Sequence, residues 1–216
     1  MLTKTILRGL LEEGHFEQIS DLAAERRRVL PSLVSLTFDA DPQIGWRAIE
    51  ALGLAAQRVA QDDPGFVREQ LRRLYWLISE ESGGICWHAP EAMAEIVRHE
   101  PELYADYLSI VVHLITSIEK EDLEHFRAGT LWAIGRLGCL AGDHAEEVHG
   151  AVTAALDDPD PQVRGTAVWC LGRVGRVSTL TDRSDLLSDD GAVALYVGGS
   201  LERTNVAELV RRALSA

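Results

Sequence analysis

Cysteine is scarce in this chain: Cys86, Cys139 and Cys170 are the only three in 216 residues, and no Cys-x-x-Cys pair exists. An odd set of scattered thiols excludes a disulfide framework and suits a reducing compartment. Long apolar runs are missing as well. Nothing reaches the roughly 18 consecutive apolar residues of a membrane span. The segment Met1–Arg8 soon meets Glu12 and Glu13 and holds no extended apolar stretch, so it reads as a first helix and not as a signal peptide. A cytoplasmic location away from membranes is the expectation.

Cations are the other shortage. Lys and Arg number 21 against 34 Asp and Glu, for a net charge of −13. Residues 1–75 carry 10 cations and 11 anions, whereas residues 76–216 carry 11 and 23. Nucleic-acid binding needs a cation for each phosphate contact, so an acidic body excludes it as the main activity. Two local clusters stand apart, Arg26-Arg27-Arg28 and Arg68/Arg72/Arg73. They read either as solvated helix faces or as a site for an anionic partner. Hydrophobic residues make up 46% of the chain, enough to fill the core of one domain spanning 1–216.

What the chain does have is an internal repeat. Residues 41–53 read Asp-Pro-Gln-Ile-Gly-Trp-Arg-Ala-Ile-Glu-Ala-Leu-Gly, and residues 160–172 read Asp-Pro-Gln-Val-Arg-Gly-Thr-Ala-Val-Trp-Cys-Leu-Gly. Two weaker copies lie between them, at 82–94 and 123–135. The closing small residue falls at Gly53, Ala94, Gly135 and Gly172, about 40 residues apart. A degenerate fifth copy is expected from Asp189-Asp190-Gly191 through Val193, Val197 and Leu201.

Such a period fits either a helix pair or a propeller blade. The apolar positions decide it. Ile44, Ala48, Leu52 and Ala55 follow helical steps, as do Val163, Ala167, Leu171 and Val174, and strand-like alternation is absent from both runs. Asp41-Pro42 and Asp160-Pro161 supply a capping carboxylate and a first-turn proline. Second helices are expected near 65–80, 101–118, 144–156 and 204–214, with 29–38 closing an N-terminal pair. Short amphipathic pairs bury their faces only by stacking.

The pattern Asp-x-x-x-x-Val-Arg-x-x-Ala-x-x-x-Leu-Gly, clearest from Asp158 through Val163, Arg164, Ala167, Leu171 and Gly172, resembles the HEAT-like repeats grouped with bacterial phycobilisome-lyase-type sequences. The resemblance spans about residues 30–200. It implies an all-α fold, an α-α superhelix or solenoid of about five helix pairs, together with a habit of binding other molecules. It does not imply lyase activity, because the repeat itself carries no chemistry.

Candidate functional positions follow from the register. Trp46 and Trp87 share one repeat position; Trp132 and Trp169 share another, where earlier copies have Glu50 and Glu91. These indoles either pack between neighbouring first helices or present an aromatic partner surface. The stretch 80–91 replaces Asp-Pro with Ser82-Gly83-Gly84 and is the least typical of the chain. Within it His88 and Glu91 share a helix face, as a surface hydrogen bond or as part of a site. Cys86 points away from that pair, and Cys170 reads as a small core residue.

No metal site is expected. The di-iron HEAT-like hydroxylases use several His-Glu dipeptides, and here only His99-Glu100 fits, while His144 and His149 stand five apart. The HEAT-like DNA glycosylases need a basic groove. The expected function is therefore a non-catalytic scaffold or adaptor without cofactor. It binds a protein or peptide with basic patches through Trp46, Trp87, His88, Glu91, Trp132 and Trp169. The alternative is a lyase or cofactor-maturation factor with a site near 83–91.

Overall fold

The computed structural model describes residues 4–78, 88–118 and 124–215. They are mostly helical, with one two-stranded hairpin. None of these helices is long and apolar enough to cross a membrane. The chain divides into two compact units, residues 1–107 with 196–201 and residues 108–195 with 202–216.

The first unit contains α1 (Lys4–Glu13), α2 (Phe16–Glu25), α3 (Val29–Leu36), α4 (Pro42–Ala60), α5 (Pro64–Ile78) and α6 (Ala89–His99). At its centre lies α4, packed against α2, α3, α5 and α6. Its start is set by Asp41, whose carboxylate accepts the Gln43 amide at 2.9 Å, with Pro42 in the first turn. Ile44, Ala48, Leu52 and Ala55 are buried as the helical stripe requires. Gly53 explains why the repeat closes on a small residue. A Cβ there would stand 2.7 Å from the Glu95 carbonyl oxygen, so α4 and α6 approach backbone to backbone.

α7 (Ala105–Ser117) begins in the first unit and continues into the second. The second unit adds α8 (Arg127–Leu137), α9 (Gly142–Glu147), α10 (His149–Ala154), α11 (Pro161–Arg173) and α12 (Val206–Ser215). Here α11 is central, packed on α8 and α12. The Asp41 cap recurs: Asp160 accepts the Gln162 amide at 2.9 Å ahead of Pro161. The close approach recurs too, since a Cβ on Gly135 would meet the Trp169 ring at 2.5 Å. The single helix expected over 144–156 is two short ones that meet at Val148 and His149, where Gly150 adds a poor helix former.

One further device repeats. Asp39, Asp158 and Asp189 each accept the backbone N–H two residues ahead, from Asp41, Asp160 and Gly191 at 3.0, 2.9 and 2.9 Å. Each is also clasped by an arginine of the preceding repeat: Arg8, Arg127 and Arg164 respectively. The Arg of the Val-Arg motif therefore ties one helix pair to the start of the next.

The fifth copy requires correction. Its start turn at Asp189 is intact, but the chain then forms β1 (Ala192–Val197) and β2 (Ser200–Asn205) in place of a helix. Gly198 and Gly199 have φ of 58° and 80°. A two-residue loop with both φ positive matches the right-handed twist of paired strands, so Gly-Gly favours a hairpin. Val193 and Leu195 point inward while Ala192 and Ala194 face solvent, the period of two that a strand shows.

Candidate functional site

In the first unit one face of α4 meets the hairpin tip. Gln43, Trp46, Arg47 and Glu50 lie at helical steps of three and four. The Gln43 amide nitrogen donates to the Gly199 carbonyl at 2.8 Å, and its oxygen accepts the Leu201 N–H at 2.8 Å, as a neighbouring strand would. Arg47 donates to the same Gly199 carbonyl at 3.0 Å and to the carbonyls of Leu11 and Glu12 at 2.9 and 2.7 Å. Held this way, the buried Tyr196 stacks on Trp46, with ring centroids 5.4 Å apart and planes 11° from parallel. Its phenol donates to Glu50 at 2.5 Å.

The second wall comes from α6. His88 forms its N-cap and Pro90 lies in its first turn. The His88 ring is 5.3 Å from Trp46. Its Nδ1 is 3.0 Å from Oε1 of Glu91, three residues on. Glu91 is only 2% exposed, and its second oxygen has no hydrogen-bond partner among the described residues. One turn further, the fully buried Glu95 accepts from Arg98 at 3.0 Å and lies 3.9 Å from the His99 ring. Trp46, itself half-buried, is thus flanked by the Tyr196 phenol ring and the His88 imidazole, each hydrogen-bonded in turn to a carboxylate, Glu50 and Glu91 respectively.

The electrostatics follow from this crowding. Burial raises the Tyr196 phenol well above its ordinary value, and the hydrogen bond to Glu50 and that group's charge add to the effect. The phenol therefore keeps its proton and remains a donor. For His88, burial pulls downward, but the hydrogen bond and the charge of Glu91 together outweigh it and leave the imidazole above its usual range.

The HEAT-like repeat family matches residues 124–174, which take in α8 through α11, nearly all of the weaker copy at 123–135 and the strong copy at 160–172. The chain carries a HEAT-like repeat. An uncharacterized protein of Archaeoglobus fulgidus is 26% identical over 183 residues, covering 82% of this chain and 91% of that protein.

On this HEAT-like framework the expected positions separate. Trp46, His88 and Glu91 come together in the first unit. Trp87 lies outside the described residues, as do Gly83, Gly84 and Cys86. In the second unit Trp132 and Trp169 stack on each other at 6.3 Å and 14°, with Trp132 just 2% exposed, so this pair has the geometry of packing between α8 and α11. The His88–Glu91 hydrogen bond is buried on its carboxylate side and so is not a surface contact. Cys170 is a buried core residue whose thiol is pushed up to about 12 by burial. Tyr196 was not anticipated, because its segment was read as helix. The signal that reveals it is Val193-x-Leu195 alternation running into Gly198-Gly199.

Proposed function

We propose that this chain is a non-catalytic HEAT-repeat adaptor that holds a protein or peptide partner by a basic side chain seated beside Trp46. The observation that carries this reading is the buried Glu91 carboxylate, one oxygen of which has no hydrogen-bond partner among the described residues, linked through His88 to the half-buried Trp46 indole. A buried charge without full pairing is costly, and a guanidinium or ammonium group relieves that cost while resting on an aromatic face. The net charge of −13 steers basic partners toward the chain without giving specificity by itself.

The test is fluorescence anisotropy with labelled hexa-arginine and hexa-glutamate peptides at 150 mM salt, about a Debye length of 8 Å. Hexa-arginine binds the wild type, hexa-glutamate does not, and Trp46→Ala and Glu50→Gln each weaken binding about tenfold, the loss of one good contact of about 1.4 kcal/mol. Glu25→Gln, at an exposed acid of α2, serves as the control. Equal losses in the control and the site variants would reduce the interaction to net charge and remove the reading. The His88–Glu91 pair also supports a second reading as a proton-transfer pair in a lyase or cofactor-maturation step. Under that reading Glu91→Gln abolishes turnover of a bound chromophore or cofactor.

A further inference from the structure

The second unit carries a cluster that the adaptor reading leaves unused. His113 lies on α7, and His144 and Glu147 lie one turn apart on α9. One ligand atom from each falls within 4.8 Å of the others. His113 Nε2 is 2.8 Å and His144 Nδ1 3.5 Å from the same Glu147 oxygen. The two rings meet edge to face at 5.4 Å.

We propose that His113, His144 and Glu147 form a binding site for one zinc-type divalent ion, which ties α7 to α9. The decisive detail is on the far side of His113. Its Nδ1 lies 2.8 Å from the Ser109 backbone carbonyl, which is a hydrogen-bond acceptor only. The neutral ring therefore carries its proton on Nδ1 and presents an Nε2 lone pair to an anionic oxygen. Two electron-rich atoms at that separation repel unless a proton or a metal ion lies between them. A carbonyl-anchored Nδ1–H opposite an Nε2 lone pair is also the arrangement that orients imidazoles as metal ligands.

Donor chemistry selects the ion. Two imidazoles and a carboxylate suit zinc and its neighbours better than calcium or magnesium, which prefer oxygen alone. Bonds of about 2.0–2.1 Å in a tetrahedron place ligand atoms roughly 3.3 Å apart. The separations of 2.8 and 3.5 Å bracket that figure, so small ring rotations admit the ion. The histidine side chains are 38% and 37% exposed, which leaves water as the fourth ligand. Sequence spacing hides the site, because His113 and Glu147 are 34 positions apart.

Calorimetric titration of the metal-stripped 216-residue chain with zinc chloride tests this, together with the visible absorption of the cobalt-substituted form. One equivalent binds the wild type, and the His113→Ala/His144→Ala double variant binds at least about a hundredfold more weakly, beyond the 10–100-fold of an outer-shell loss. Glu147→Gln, at a side chain 57% exposed to solvent, weakens binding and changes the cobalt spectrum, whereas His149→Ala leaves both intact. Zinc raises the melting temperature of the wild type but not of Glu147→Gln. Absence of stoichiometric uptake, or uptake that survives in the double variant, overturns the proposal.

Discussion

Replacing Gly53 by alanine adds one methyl group where α4 and α6 touch. That methyl would lie 2.7 Å from the Glu95 carbonyl oxygen, 3.0 Å from its carbon and 2.9 Å from Cδ2 of His99. Favourable contacts between heavy atoms begin near 3.5 Å, so the facing backbone must retreat by about half an ångström or more. A helical carbonyl does not move alone, and α6 must shift with it. Overpacking of this kind costs about 1–3 kcal/mol. Alanine returns about 1 kcal/mol of helix propensity over glycine, leaving a net cost of up to about 2 kcal/mol. Gly9 supplies the control, because a Cβ built there in α1 meets nothing within 4 Å. Gly9→Ala is expected to stabilise by about 1 kcal/mol. Urea denaturation of both variants measures the difference, and for a chain of this size each kcal/mol moves the melting temperature by about 2–4 °C. If Gly53→Ala stabilised the protein as much as Gly9→Ala, the backbone contact would not constrain the repeat and the account of its closing glycine would be wrong.

Three more expectations are open to measurement. Trp132→Ala removes a buried, stacked indole and is expected to cost about 3–5 kcal/mol in denaturant unfolding; a loss below 1 kcal/mol contradicts a packing role. Arg164→Met deletes two hydrogen bonds to Asp189, at 2.7 and 3.1 Å, and is expected to cost about 2 kcal/mol at neutral pH. Because the Arg164 hydrogen bond holds Asp189 below its ordinary value, this stabilisation is complete above about pH 4 and disappears as the pH falls through the lowered value. The gap between wild type and variant should therefore narrow in acid to what the Arg164 bonds to the Asp158 and Pro159 carbonyls contribute, and a constant gap down to pH 2 would show that Asp189 is not the partner that matters. In Glu91→Gln the carboxylate charge that raises His88 is gone while burial still acts, so its imidazole is expected to titrate lower than in the wild type. Proton resonance of the ring reports the shift directly.

The helical repeat was legible because its determinants are local. Asp41-Pro42 and Asp160-Pro161 cap their helices through neighbouring amides, and Ile44, Ala48, Leu52 and Ala55 fall on one face by spacing alone. The hairpin was not legible as part of the repeat. The intact start turn at Asp189 led into a segment where glycine turn chemistry overrides the helical expectation. Half of the candidate site was visible, since the shared register singled out Trp46, Glu50 and Glu91 and the three-residue step paired His88 with Glu91. The other half depends on a contact distant in sequence. Tyr196 reaches Glu50 across 146 positions, and no periodicity encodes such a meeting. The burial of Glu91 was likewise invisible, because an acid at that spacing ordinarily faces water.

One register holds Glu50, Glu91, Trp132 and Trp169 in successive copies, and the contrast gives the adaptor reading its sharpest test. In the second unit this register is used for packing, with two stacked indoles, that of Trp169 lying over Gly135. In the first it carries acids, one of them 2% exposed with an unpartnered oxygen, although an apolar side chain would pack there at lower cost. Such a local loss of stability is expected where a residue serves binding and not folding. Glu91→Met nearly preserves side-chain volume and removes the buried carboxylate. It should raise the melting temperature and at the same time weaken the capture of hexa-arginine. A variant that is less stable and binds as before would make Glu91 a structural residue, and the basic-partner site beside Trp46 would have to be abandoned.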